Sequence, residues 1–276
     1  MIWEAATDGH SALLADLLAS PGLTAADINF QYGFWLERPL NQAIRRGFED
    51  CVRLLVSHPL VEINYRTPAS VASLYRACSH DRPYSLGIVK TLCGHPHIDL
   101  NVVDVDNTTP LWIACHMGQT DTVRFLLAHA GVGRLDVTRR ANESSNGDDP
   151  FTNDWEGKTA LEVAPNSAIR EIMTLYLADP RQTRRALRKE LGLSAEDAAA
   201  DFVSAVLLCD GYLRLGQKVS GDREARFLSV VSRLPLELQM IICYRRHDSR
   251  KDIIITPDVE RALQKFISEL HDAVSF

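Results

Sequence analysis

A chain of 276 residues that is 46% hydrophobic and 24% charged has the composition of a folded protein, not of a disordered one. Its net charge of −6 is uneven: residues 1–180 hold 14 Lys and Arg against 22 Asp and Glu (−8), and residues 181–276 hold 16 against 14 (+2). An acidic front without clustered Lys and Arg argues against nucleic acid as a partner, and no apolar run approaches the roughly 20 residues that span a bilayer.

Met1 to Leu18 lacks a basic segment followed by an apolar core, so no signal peptide is expected. From here two markers recur along the chain. The first is an apolar residue followed three positions later by alanine: Ile2–Ala5, Leu40–Ala43, Leu74–Ala77, Leu111–Ala114 and Leu161–Ala164. The second closes each unit: Asp27-Ile28-Asn29, Glu62-Ile63-Asn64, Asp99-Leu100-Asn101 and Asp136-Val137-Thr138. The alanines are spaced 38, 34, 37 and 50 residues apart and the closing markers 35, 37 and 37, a period that signals stacked repeats. Within a unit, a glycine four residues after the alanine (Gly9, Gly47, Gly118) predicts the end of a first helix, where positive φ is wanted. The Val and Leu residues that follow, such as Val52, Leu54 and Leu55 or Val123, Leu126 and Leu127, predict a second helix with one apolar face.

DVDNTTPLWIA (104–114) and DWEGKTALEVA (154–164) resemble the opening of the ankyrin-repeat consensus, with Asn107 in place of a turn glycine and Gly157 in place. Thr109 and Thr159 stand where a residue caps the first helix, and Pro110 at its first position. The resemblance covers about residues 1–177 and implies an all-α fold: an ankyrin-repeat solenoid of about five helix-turn-helix units (about 1–29, 30–64, 65–101, 102–138 and 139–177). Residues 178–193 are left as a linker and 194–276 as a helical C-terminal domain. Unit three carries about two extra residues near Arg82-Pro83, and a polar insertion, roughly 139–153, precedes unit five. The resemblance also implies a role in binding a protein partner, without catalysis.

In such arrays the loops before each first helix project as fingers beside a concave face. The first finger holds Tyr32, Phe34, Trp35 and Glu37, and the fifth holds Trp155 and Glu156. Aromatics dominate interface hot spots, although Phe34 or Trp35 could equally tuck under a neighbouring finger. Asp106 and Glu156 tint this end negative, which favours a basic partner segment. Trp112 either packs between repeats or faces the groove. The expected partner-binding set is therefore Tyr32, Phe34, Trp35, Glu37, Asp106, Trp112, Trp155 and Glu156.

Cys93-Gly94-His95-Pro96-His97 looks like a metal cluster, but Ser57-His58-Pro59 occupies the same place one unit earlier, which argues for a structural role at a helix end. No four-ligand spacing appears, and neither a metal nor a cofactor is expected. Cys115 and His116 are neighbours on a helix, so their side chains diverge by about 100°, and no hydrolase, phosphate-loop or metalloprotease motif is present. The six cysteines form no CxxC pair, which suits a reducing, cytoplasmic setting.

Past residue 180 lie Arg181, Arg184, Arg185, Arg188 and Lys189, a basic run read as a solvated linker or helix face. Helices are predicted from Ser194 to about Leu213, from near Asp222, and from Thr256 to about Ala273. Two roles fit this tail. It covers the apolar end of the array, as solenoids require, or LPLELQMII (234–242) serves as a docking segment. That segment resembles the opening of an F-box and a C-terminal motif of poxviral ankyrin proteins. The resemblance implies that Leu234, Pro235, Glu237 and Ile241 contact an adaptor of cullin-RING ubiquitin ligases.

Overall fold

The computed structural model describes residues 1–33, 36–68, 71–79, 85–130, 133–142, 155–193, 199, 202–204, 239 and 242–243. The chain divides into two compact units, Met1–Arg184 and Arg185–Phe276. In chain order the helices are α1 (Ile2–Asp8), α2 (Ser11–Leu18), α3 (Ala25–Ile28), α4 (Pro39–Arg46), α5 (Glu49–Val56) and α6 (Ser73–Cys78). They continue with α7 (Ser85–Cys93), α8 (Pro110–His116), α9 (Thr120–His129), α10 (Ala160–Val163), α11 (Ser167–Ala178) and α12 (Pro180–Glu190). Among the described residues there is no strand, only isolated antiparallel bridges at the bases of fingers. None of the described helices is long and apolar enough to cross a membrane.

The first unit has two helical layers. The row α1, α4, α6, α8, α10 packs neighbour to neighbour, and the row α2, α5, α7, α9, α11 does the same behind it. The alanine marker explains how the front row closes up. Ala5, Ala43, Ala77, Ala114 and Ala164 are all buried, and at a helix–helix contact a methyl group lets backbones approach where a larger side chain would hold them apart. Leu14, Leu55, Leu92, Leu126, Leu127, Ile169 and Met173, on the second helices, fill the space between the layers.

Helix ends follow from local chemistry. Thr109 Oγ1 accepts from the Trp112 amide at 3.1 Å, with Pro110 at the first helical position. Thr159 and Glu162 form a reciprocal capping box on α10, which draws the exposed Glu162 carboxyl below its ordinary pKa. Gly9 takes φ +76° after α1, and a Cβ there would meet the Phe48 ring at 2.8 Å, so both backbone and space demand glycine. Asn107 sits at φ +61°. Its Nδ2 donates to the Arg140 carbonyl at 2.9 Å and its Oδ1 accepts from Arg139 at 3.0 Å. The side chain thus ties one finger to the next, which glycine would not do.

The closing markers are a hydrogen-bond ladder. Asn29 Nδ2 donates to the Leu60 carbonyl (2.8 Å) while its Oδ1 accepts from the Glu62 amide (2.9 Å). Asn64 does the same with His97 O (2.6 Å) and Asp99 N (2.9 Å). Asn101 does it with Arg134 O (2.8 Å) and Asp136 N (2.8 Å). Each rung satisfies one donor and one acceptor of the next turn, about one repeat further on. At the fourth marker the residue is Thr138, whose hydroxyl lies beside Asp136 of its own turn. The join to α10 is made otherwise: the Asn142 amide donates to Asp106 O at 2.8 Å, and Asn166 Nδ2 donates to Gly118 O at 3.3 Å.

The basic run that the sequence leaves open as linker or helix face lies wholly on α12, where Arg184 Nε donates to the Ala130 carbonyl at 2.8 Å. His58 and His95 occupy equivalent places, each with Nδ1 accepting an amide two residues on at 3.3 Å. Burial, then the neighbouring His97, lowers the pKa of His95. In that amide contact its Nδ1 accepts, which holds the ring against its own turn at the helix end.

Two outcomes follow. Asn29→Ala removes both halves of a rung and should cost about 1–3 kcal/mol, read as a lower urea midpoint at unchanged m-value; a loss below about 0.3 kcal/mol would show the rung to be incidental. Cys51, Cys78, Cys93 and Cys115 are buried free thiols, and burial pushes Cys93 and Cys115 up to about 12. Iodoacetamide near neutral pH should spare all four until the protein is denatured. As pH rises from the ordinary thiol range toward about 12, the unfolded chain gives up thiol protons that the folded chain keeps, so stability should fall across that window.

Candidate functional site

The first finger, between α3 and α4, is closed by a bridge in which the Tyr32 amide donates to Glu37 O (3.0 Å) and the Glu37 amide to Tyr32 O (3.2 Å). Above this base stands an aromatic cluster. The Tyr32 ring lies 4.6 Å from that of Trp3 and 6.5 Å from that of Phe30. Tyr32 is 56% exposed, Phe30 54% and Leu36 42%. Leu36 holds φ +47°, a strained conformation for a branched side chain. Its carbonyl accepts from the Tyr65 hydroxyl at 2.9 Å. Phe34 and Trp35 lie outside the described residues.

Glu37 is at the other extreme. It is 5% exposed, and its carboxylate is held by Arg76 at 3.0 Å, by Arg45 at 3.7 Å and by a hydrogen bond from Gln42. It braces the finger against α4 and α6 and presents little surface of its own. Burial pulls the Arg76 pKa down, Glu37 opposes that, and Arg45 adds to it. Arg38 caps the same base, 2.6 Å from Glu62 and with its guanidinium 3.7 Å over the Tyr65 ring.

At the fingers before α8 and α10, Trp112 is 3% exposed. Of the two placements open to it, it packs between repeats: its indole N–H donates to Lys158 O (2.9 Å), its ring stacks on His116 (5.3 Å), and Trp155 meets it edge-on (5.7 Å). Asp106 and Trp155 are half-buried, as is Glu156. Burial first, then Asp104 and Glu156, raises the pKa of Asp106, so these acidic groups share one neighbourhood and their charges repel. A cation placed there would relieve that repulsion.

The sequence-predicted residues thus fall in two separate places, the aromatic first finger and the acidic fingers before α8 and α10, with Glu37 and Trp112 beneath them. Trp3, Phe30, Arg45 and Arg76 were missed. Trp3 and Phe30 could have been found as aromatics two residues before Ala5 and directly after Asn29, and Arg76 as the one charge in its first helix, Ser73–Cys78; Arg45 stands among Asn41, Gln42 and Arg46 and carries no such signal. Cys115 is buried with its pKa raised, and His116 is stacked on Trp112. Among the described residues no three metal-ligating side chains converge. Leu234, Pro235, Glu237 and Ile241 lie outside the described residues.

Comparison with known proteins agrees with the paired-helix architecture. A family model described as ankyrin repeats (3 copies) matches residues 74–183. Two curated relatives are similar. Ankyrin repeat and SOCS box protein 11 of Danio rerio is 29% identical over 140 residues, covering 49% of this chain and 38% of the relative. The Mus musculus protein of the same name is 26% identical over 176 residues, covering 61% of this chain and 46% of the relative. The chain therefore spans less than half the length of the curated relatives it matches. The helix pairs, the caps and the family match lead to one statement: residues 74–183 of this chain are ankyrin repeats.

Proposed function

We propose that the chain is a non-catalytic scaffold that binds a partner protein along its first-helix layer and fingers. In this reading the helix pairs α1–α2, α4–α5, α6–α7, α8–α9 and α10–α11 are five ankyrin units, and residues 194–276 form a helical domain that caps the last of them. The setting is cytoplasmic. One observation carries the reading: Phe30, Tyr32 and Leu36 stand exposed together at the first finger. Rigid aromatic rings exposed together mark a surface that gains by being covered.

Tyr32, with Phe34 and Trp35, forms the apolar end of the interface, and Asp106, Trp155 and Glu156 form the acidic end. Glu37 and Trp112 hold these surfaces from below. The acidic end accelerates encounter with a basic stretch of the partner more than it adds affinity.

A second reading makes the chain a substrate adaptor of a cullin-RING ubiquitin ligase, with the fingers choosing the target and Leu234, Pro235, Glu237 and Ile241 docking the machinery. It is favoured by the relatives' names, which couple ankyrin repeats to a SOCS box.

Affinity capture from a eukaryotic lysate tests both readings. A Phe30→Ala/Tyr32→Ala variant should lose a specifically captured partner by about thirtyfold, roughly 2 kcal/mol, with its melting midpoint within about 4 °C of wild type. Retention at wild-type strength would remove the finger tip from the interface. Cullin components captured by wild type and lost from a folded Leu234→Asp/Ile241→Asp variant would establish the adaptor reading; their absence with both proteins would exclude it.

A further inference from the structure

Beneath the first finger, two guanidinium groups share one carboxylate. Arg45, in the last turn of α4, and Arg76, on the adjacent α6, both face Glu37, Arg76 at 3.0 Å and Arg45 at 3.7 Å. Both carboxylate oxygens are engaged, because Gln42 donates to the oxygen that faces Arg45. The local sum is one uncompensated positive charge, and Arg45 bears on Arg76 as a like charge. Arg76 also keeps a buried Nε–H with no acceptor. The two arginines differ in access: the Arg76 side chain is 16% exposed and that of Arg45 is 45% exposed. One Arg45 nitrogen donates to Gln42 Oε1 at 2.8 Å, which orients the guanidinium while leaving much of it in water.

We propose that this place takes one carboxylate, the side chain of an Asp or Glu on an extended segment of the partner protein; the inference rests on the scaffold reading and specifies its partner. Three features favour that occupant. A single carboxylate matches the single uncompensated charge, whereas a phosphate, at about −1.5 to −2, overshoots it. With Nε facing Glu37 and Nη2 donating to Gln42, the Nη1–Nη2 end of the planar Arg45 guanidinium suits a carboxylate bound end-on. The Tyr32–Glu37 bridge joins the aromatic tip to the carboxylate that holds both arginines, so a segment laid across Tyr32 runs past Arg45. The partner segment then carries an apolar or aromatic residue for the finger tip and an acidic residue close to it. Glu37 acts here as a positioning residue: it holds the arginines and does not touch the partner.

The test selects binders from a random linear-peptide phage library on the full chain, wild type and Arg45→Gln, with circular dichroism confirming that both are folded. The best wild-type peptide is then synthesised in three forms, with its acidic residue intact, replaced by the matching amide, and replaced by phosphoserine, and titrated by fluorescence anisotropy. Wild-type selections should show Asp or Glu at a recurring position beside an apolar residue. Replacing that acid by its amide should weaken binding to wild type by about tenfold and change binding to Arg45→Gln little. Peptides recovered without an acidic preference, or an equal loss on both proteins, would overturn the carboxylate site and leave the scaffold reading standing. Tighter binding of the phosphoserine form by tenfold or more would overturn it in favour of a phosphorylated segment. Recovery of no peptide by either protein would overturn the site and the scaffold reading together.

Discussion

The asparagine that ends each closing marker is the constraint on which the array depends. Helices of seven to ten residues, such as α1, α4 and α9, are too short to persist alone in water. They hold because neighbours bury their apolar faces. Apolar burial is non-directional, however, and by itself would let one helix pair slide or rotate on the next. Asn29, Asn64 and Asn101 remove that freedom, each reading both a carbonyl and an amide of the following turn. A donor and an acceptor on one planar amide fix distance and angle together. The hydrophobic layers supply cohesion, and the ladder supplies register.

Register at the bases of the turns decides what the fingers can present. The aromatic first finger is built on a two-residue bridge, braced by a buried carboxylate and tied at Leu36 to Tyr65 of the next turn. None of these contacts survives a change of a few ångströms between neighbouring repeats. The exposed rings of Phe30 and Tyr32 therefore stand on a polar, ion-paired foundation rather than on an apolar one. A buried ion pair contributes little net stability against a well-packed apolar alternative. What Glu37 contributes is direction, because a carboxylate held by Arg76 and Gln42 accepts few orientations.

Much of the architecture is legible in the sequence because repetition multiplies weak signals. A Leu followed three residues later by Ala is uninformative once, but at Leu40–Ala43, Leu74–Ala77 and Leu111–Ala114 it gives the packed row of first helices. Thr109, Pro110 and Asn107 state their roles in a single residue each, since capping and left-handed turns are local. The closing markers were visible as a period while their meaning was not, because a rung is a contact between residues more than thirty positions apart. The same holds for the site. Tyr32 is legible as an exposed aromatic, but Glu37 reads as a surface charge until Arg45 and Arg76 are brought to it by stacking. Trp112 reads two ways until Lys158 and Trp155, across the insertion, settle it.

The ladder stops at Thr138, and the long polar insertion begins directly after it. Where an asparagine reads the next turn, the chain must bring a carbonyl and an amide back to the same place, as it does between Asn64 and Asp99 with about two extra residues, so chain length between rungs varies little. Among the described residues past Thr138, no asparagine reads both a carbonyl and an amide of a following turn, and the cost of a longer connection grows only with the logarithm of its length. The joint between α9 and α10 is thus a point in the array where length can change without breaking an asparagine rung. A change of reach or composition there would alter the acidic fingers before α8 and α10 while leaving the aromatic first finger untouched.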